Sequence, residues 1–192
     1  MHTPSAPADS ATPAVRLLFV CTANRVRSPF AAALAARLVD EHGLPIEVSS
    51  AGFMDDGLPA IDRMVDVARR MDLDLSGHRS RQVDRQLLDP VDLIVAMTGQ
   101  HVVDLVSIDP SASQRILTLR EWATAASASA EHEWDPVSVR SAAAHATARP
   151  LAALLGGQLD VADPIGGPRR AYQRAANQIS ELLRTALHAP EP

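Results

Sequence analysis

The sequence predicts an α/β fold, a three-layer sandwich in which helices cover both faces of a central four-stranded parallel sheet. Three observations lead there. Short apolar runs alternate along the chain with longer stretches of helical spacing, the pattern that builds parallel sheets. At 192 residues, 46% of them hydrophobic, the chain suits one domain with a sizeable core. Aromatic residues make up only 3%, so Ala, Leu, Val and Ile must build that core.

Taken in order, Met1 to Ala14 is rich in Pro, Ser, Ala and Thr and reads as a disordered tail. Val15 to Val20 reads as a fully buried strand. A helix starts near Arg27, accepts Pro29 early and runs through the alanine-rich Phe30 to Val39, until Gly43, Leu44 and Pro45 end it. Ile46 to Ser49 is a short second strand. From Ala60 to Met71, Ile61, Met64, Val65 and Ala68 recur at helical spacing. Asp92 to Met97 is a third buried strand, a helix follows from about Gln100 to Val106, and Arg115 to Leu119 is a fourth strand. Thr124 to Ala130 is an Ala/Ser/Thr run expected as a flexible loop. Val137 to Leu155 suits a helix divided at Pro150. Arg169 to Leu187 closes the chain as an amphipathic helix, with Tyr172, Ala176, Ile179, Leu182 and Leu183 on one side. Residues 15–187 thus form one domain between the tails 1–14 and 188–192.

Composition narrows the function. The net charge of −5 gives no electrostatic reason to expect nucleic acid as a partner, and no apolar run is long enough to cross a membrane. The chain has no lysine, which excludes a Walker-type phosphate loop, kinases and pyridoxal enzymes. Its single cysteine excludes intrachain disulfides and fits a cytoplasmic location.

That cysteine, Cys21, stands directly after the first strand, in Val20-Cys21-Thr22-Ala23-Asn24-Arg25-Val26-Arg27-Ser28-Pro29. Five residues between cysteine and arginine let the backbone curl round a tetrahedral oxyanion, with successive N–H groups forming an anion nest. The helix starting near Arg27 adds its positive end, and the guanidinium fork binds two oxygens at once. The same field favours the thiolate, the form that attacks phosphorus. Right-handed crossovers place this loop at the carboxyl end of the first strand, where such sheets bind ligands. The competing reading is a buried structural cysteine.

Val20 to Pro29 resembles the signature V-C-x-G-N-x-C-R-S-P of the low-molecular-weight protein tyrosine phosphatases, within the arsenate reductase-like phosphatase superfamily. Ser49-Ser50-Ala51-Gly52 resembles that family's S-A-G segment, and Asp92 to Met97 its D-L-I-x-x-M strand. Val161-Ala162-Asp163-Pro164-Ile165-Gly166-Gly167-Pro168, with Tyr172 beyond, resembles its general-acid loop. The four matches occur in the family's order between Val15 and Leu187.

The resemblance implies a phosphatase that hydrolyses phosphomonoesters, protein phosphotyrosine foremost, through a cysteinyl-phosphate intermediate. Cys21 would be the nucleophile and Asp163 the general acid. Thr22, Ala23, Asn24, Arg25, Val26, Arg27 and Ser28 would bind the phosphate, with Arg27 on its equatorial oxygens. Ser28 would ease the departure of the thiolate or, alternatively, cap the helix. Asn24 would fix the loop in left-handed geometry. No metal or cofactor is implied, and the expected partners are a phosphorylated protein or small phosphate ester and inorganic phosphate or a similar oxyanion in the loop. The alternatives are an arsenate reductase using an external thiol, since no relay cysteines exist, and a non-catalytic oxyanion or phosphoprotein binder.

The chain departs from the family pattern at several places. Ala23 replaces a glycine, so the loop must avoid a positive φ there or accept strain. Val26 replaces a second cysteine, leaving oxidised Cys21 no nearby disulfide partner. Peroxide inactivation is therefore expected to reverse poorly, and full recovery with thiol after an overoxidising dose would contradict this. Ile165 stands where the family often has an aromatic wall for the tyrosine ring, with Phe53 or Trp134 as candidate substitutes. Arg25 either attracts acidic or multiply phosphorylated substrates at the rim or is merely exposed. The span 121–158 is longer than the family usually needs, an expected insertion that either shapes substrate access or is a surface loop. Glu131-His132-Glu133-Trp134-Asp135 groups possible ligands at a spacing of no known metal site and reads as a solvated loop. His78 reads as structural, and His42 and His101 as helix-surface residues.

Overall fold

The computed structural model of the chain describes residues 15–128 and 150–188. Strand β1, Val15–Cys21, is apolar at all but one position and lies inside the sheet. It pairs in parallel with β2, Ile46–Gly52, on one side and with β3, Leu93–Ala96, on the other. Parallel β4, Ile116–Thr118, completes the order β2-β1-β3-β4. The sheet and its all-parallel pairing match the predicted fold class.

Strand side chains alternate between faces, and the core divides accordingly. Leu17, Phe19 and Cys21 of β1, with Leu93 and Val95 of β3, face one layer of helices. That layer holds α1 (Arg27–His42), α2 (Asp62–Arg69), α5 (Leu119–Ala128) and α7 (Arg169–Ala186). Leu18, Val20, Ile94, Ala96 and Ile116 face the other layer. It holds α3 (Arg85–Leu88), α4 (Gly99–Ile108), a 3-10 turn at Pro110–Arg115 and α6 (Leu151–Leu155). From β1 the chain steps to β2 at one flank and after β2 crosses to β3 at the other flank of β1, so the reversal of strand order falls at the carboxyl end of β1. The crevice of an open α/β sheet opens there, and Cys21 is the last residue of β1.

Several elements differ from the sequence expectation. β2 runs on through Gly52, because pairing with β1 continues to Cys21. The Ala/Ser/Thr run from Thr124 is no loop as far as Ala128, since it forms the second half of α5. Alanine favours helix, Leu119, Trp122, Ala123 and Ala126 form a buried stripe, and the Thr124 and Ser127 hydroxyls donate to carbonyls one turn back. The expected insertion therefore begins inside the core, with Trp122 at 6.5 Å from Phe19 between ring centroids. Pro150 stands directly before α6, where a break was expected. Met1 to Ala14, residues 129–149 with the Glu131 to Asp135 cluster and Trp134, and residues 189–192 lie outside the described residues.

Candidate active site

The loop from Thr22 to Val26 joins β1 to α1, and its carbonyls are taken from outside. Thr22 O accepts from Phe53 N at 2.7 Å, Asn24 O from His78 Nε2 at 2.6 Å, and Arg25 O from Ile61 N at 2.9 Å. Every described peptide is trans, so the next amide points opposite each of these carbonyls. The N–H groups of Ala23, Arg25 and Val26 are thereby turned to the concave side. Helix α1 adds its first turn, because Val26 at its N-cap makes no side-chain capping bond. Amides so arranged are what an oxyanion nest requires.

Asn24 locks this shape. Its φ is +51°, and Ala23 is not among the positive-φ residues, so the loop takes its left-handed turn at Asn24 instead of straining Ala23. Fully buried Asn24 donates from Nδ2 to Ser28 Oγ at 3.0 Å and Ser50 Oγ at 2.8 Å, and accepts from Arg81 N at 2.9 Å. Burial pushes the pKa of His78 down, which favours the neutral ring that donates to Asn24 O. His78 is structural, as expected. Gly52 lies so near that a Cβ there would sit 2.5 Å from Asn24 N and 2.8 Å from Cys21 O. Ser50 and Gly52, quoted in sequence only as part of a matching segment, are working parts of the loop's support.

Cys21 is 2% exposed, and its Sγ lies 3.0 Å from Ser28 Oγ. Ser28 also lies 3.2 Å from Ala51 O, so its one proton faces either that carbonyl or the sulfur. It is turned inward and does not cap α1. Arg27, only 2% exposed, spans the site. Nη1 donates to Val161 O at 3.0 Å, while Nη2 reaches Thr22 Oγ1 at 3.0 Å and Asp163 Oδ2 at 2.5 Å. Asp163 thus comes to the loop across 136 residues of sequence.

The segment carrying Asp163 is pinned at both ends. Val161 N donates to Met97 O at the end of β3, and Arg63 of α2 donates to Gly167 O at 2.7 Å. Between these points Ile165 N bonds Asp163 Oδ1 at 3.1 Å, and Gly166 takes a φ of +78°. Ile165 is exposed, and among the described residues Phe53 brings an aromatic ring to the loop, stacked on His101 with centroids 5.5 Å apart. Arg25 is partly buried at the rim, its Nε held by Pro59 O at 2.8 Å. His42 is exposed as expected, but His101 is not a surface residue. It is 6% exposed and 3.0 Å from Thr22 Oγ1, because the face of α4 it occupies packs against the loop.

With this geometry in place, likeness to known proteins becomes informative. The profile of the family described as low molecular weight phosphotyrosine protein phosphatase matches residues 16–155. The chain belongs to this family. Among low molecular weight phosphatases it is similar to a protein-arginine-phosphatase of Bacillus subtilis, 28% identical over 88% of this chain and 91% of that one. It is also similar to the low molecular weight protein-tyrosine-phosphatase Etp of Escherichia coli, 31% identical over 55% of this chain and 70% of that one. A crystal structure of a low molecular weight protein tyrosine phosphatase from T. tengcongensis superposes with a TM-score of 0.69 at 28% identity, covering 90% of this chain and 97% of the other. The family profile ends before Asp163, so that residue's place in the site rests on its contact with Arg27.

Proposed function

We propose that this phosphatase hydrolyses phosphorylated protein side chains, phosphotyrosine foremost, through a cysteinyl-phosphate intermediate, and acts in the cytoplasm. One observation carries the reading: the sulfur and a buried guanidinium at the two ends of one amide-lined loop meet a carboxylate brought in from 136 residues away.

Cys21 Sγ attacks phosphorus in line, forming the S–P bond as the P–O bond to the substrate breaks. Arg27 and the loop amides take the three equatorial oxygens, where transition-state charge collects. Asp163, protonated and turned from Arg27 onto the leaving oxygen, gives up its proton there. In the second step the carboxylate takes a proton from water, the water oxygen bonds phosphorus, and the S–P bond breaks. Ser28 turns its proton to the departing sulfur. Asp163 is about one-third exposed, which leaves it room for this movement.

Phe53 supports an aryl substrate, because its backbone is tied to Thr22 and its ring stands beside the loop. Arg25 adds a second guanidinium to the loop, which attracts anionic phosphorylated peptides of either kind. The second reading, protein phosphoarginine, is favoured by relatives of that name aligned over 88% of the chain.

The deciding experiment is steady-state hydrolysis of a small aryl phosphate at mildly acidic pH by wild type and Cys21→Ser. Loss of turnover in a folded variant is the expected outcome. A folded wild type that binds phosphate without turnover would sink the enzyme reading and promote the binding module or the arsenate route. Matched phosphotyrosyl and phosphoarginyl peptides then rank the two substrates.

A further inference from the structure

His101 is a buried polar group whose position the chemistry above does not explain. It is the third residue of α4, its N–H capped by Thr98 Oγ1 at 3.1 Å. The ring is 6% exposed, wedged between Phe53 and Thr22. One nitrogen, Nε2, lies 3.0 Å from Thr22 Oγ1. The other, Nδ1, is buried with no hydrogen-bond partner among the described residues.

This asymmetry favours one tautomer. Arg27 Nη2 can only donate, so Thr22 Oγ1 accepts from it and has one lone pair and one proton left. If the hydroxyl gave that proton to Nε2, the imidazole proton would sit on Nδ1, a buried donor with nothing to meet, which carries the full desolvation cost of an unmade hydrogen bond. If Nε2–H donates, Thr22 Oγ1 accepts twice and its own proton stays free. A protonated ring is disfavoured by burial and by Arg27 nearby, against weaker opposition from Asp104, Asp160 and Asp163.

We propose that His101 is a positioning residue for phosphate binding: Nε2–H holds Thr22 Oγ1, that oxygen holds Arg27 Nη2, and the free hydroxyl proton of Thr22 is presented to a phosphoryl oxygen. The chain His101–Thr22–Arg27 ties α4 to the guanidinium plane, so the fork meets its oxygens already oriented. The proposal rests on the phosphatase reading of the loop.

The test uses the full chain with His101→Gln, His101→Asn and His101→Leu. A glutamine amide nitrogen reaches the place of Nε2, whereas asparagine reaches only that of Nδ1, where there is nothing to hold. His101→Leu and His101→Asn are expected to raise the competitive inhibition constant of inorganic phosphate, and to lower kcat/KM for an aryl phosphate, each roughly tenfold, the scale of one misoriented charge-assisted hydrogen bond. His101→Gln should recover most of both. In a Thr22→Val background His101→Leu should change neither further, since the link is already cut. Equal values for Gln and Asn, or an undiminished phosphate affinity in a folded His101→Leu, would overturn the proposal. If wild type binds phosphate but turns nothing over, the phosphatase reading fails. Phosphate titration by calorimetry then decides the role of His101 by the same ranking.

Discussion

The phosphate loop and the acid segment meet at Arg27, yet they are built in opposite ways. From Cys21 to Ser28 every residue but Thr22 is buried or partly buried, and carbonyls and side chains are claimed by β2, α1, α4 and the segment around His78. From Val161 to Gly167 the backbone is bonded to the rest of the fold at its ends and Asp163 to Arg27 between them, while Ala162, Asp163, Ile165 and Gly166 are exposed. The difference fits the proposed chemistry. Oxyanion binding gains from donors fixed before the substrate arrives, whereas a proton carrier must leave its partner and reach two different oxygens in turn.

The sharpest way to break the comparison is Asp163→Asn. If the acid segment serves proton transfer alone, kcat should fall about 10²–10⁴-fold while phosphate inhibition and thermal stability change little. A parallel collapse of phosphate affinity would show that the two regions are one mechanical unit.

Acid titration probes the loop side. His101 has its pKa pushed down to about 4, first by burial and then by Arg27. The unfolded chain binds this proton near pH 6.5 and the folded protein only near 4, so stability is complete above 6.5 and falls as pH drops through that window. The total is about 3 kcal/mol for a shift of this size. Burial lowers the pKa of His78 as well and acts in the same direction. Chemical denaturation between pH 7 and 4 should show the loss, and His101→Leu should flatten it. A slope unchanged in His101→Leu would refute the assignment.

A pair of glycines gives a finer contrast. In Gly52→Ala the new Cβ meets loop backbone, and overpacking of this kind costs about 1–3 kcal/mol. Stability and phosphate affinity should fall together. In Gly166→Ala the space is open but φ is +78°, and left-handed strain costs about 1–2 kcal/mol. There kcat should fall more than phosphate affinity. Equal losses of phosphate affinity in the two variants would erase the distinction drawn here.

Much of this was legible in the sequence. Leu17 to Val20, Leu93 to Ala96 and the stripe on α7 declare themselves by periodicity, which is local. Cys21 to Ser28 is equally local, since one turn of backbone and one helix start make the nest. Even the left-handed turn at Asn24 was readable from its residue type. The Thr124 run was misread because low complexity hid an alanine stripe that only the core on α7 and Phe19 selects as helix. His101 was misread because its spacing on α4 fits a solvent face as well as a buried one.

By itself, then, the sequence determined the sheet, the helix that follows β1 and the oxyanion loop between them, because each depends on neighbours within a few residues. Tertiary structure alone decided that Asp163 meets Arg27 across 136 residues, that Thr22 meets His101 across 79, and that Gly52 lies against Asn24 without room for a Cβ. Those contacts exist only where strand order and helix packing bring distant segments within bonding distance, and no local pattern encodes that proximity.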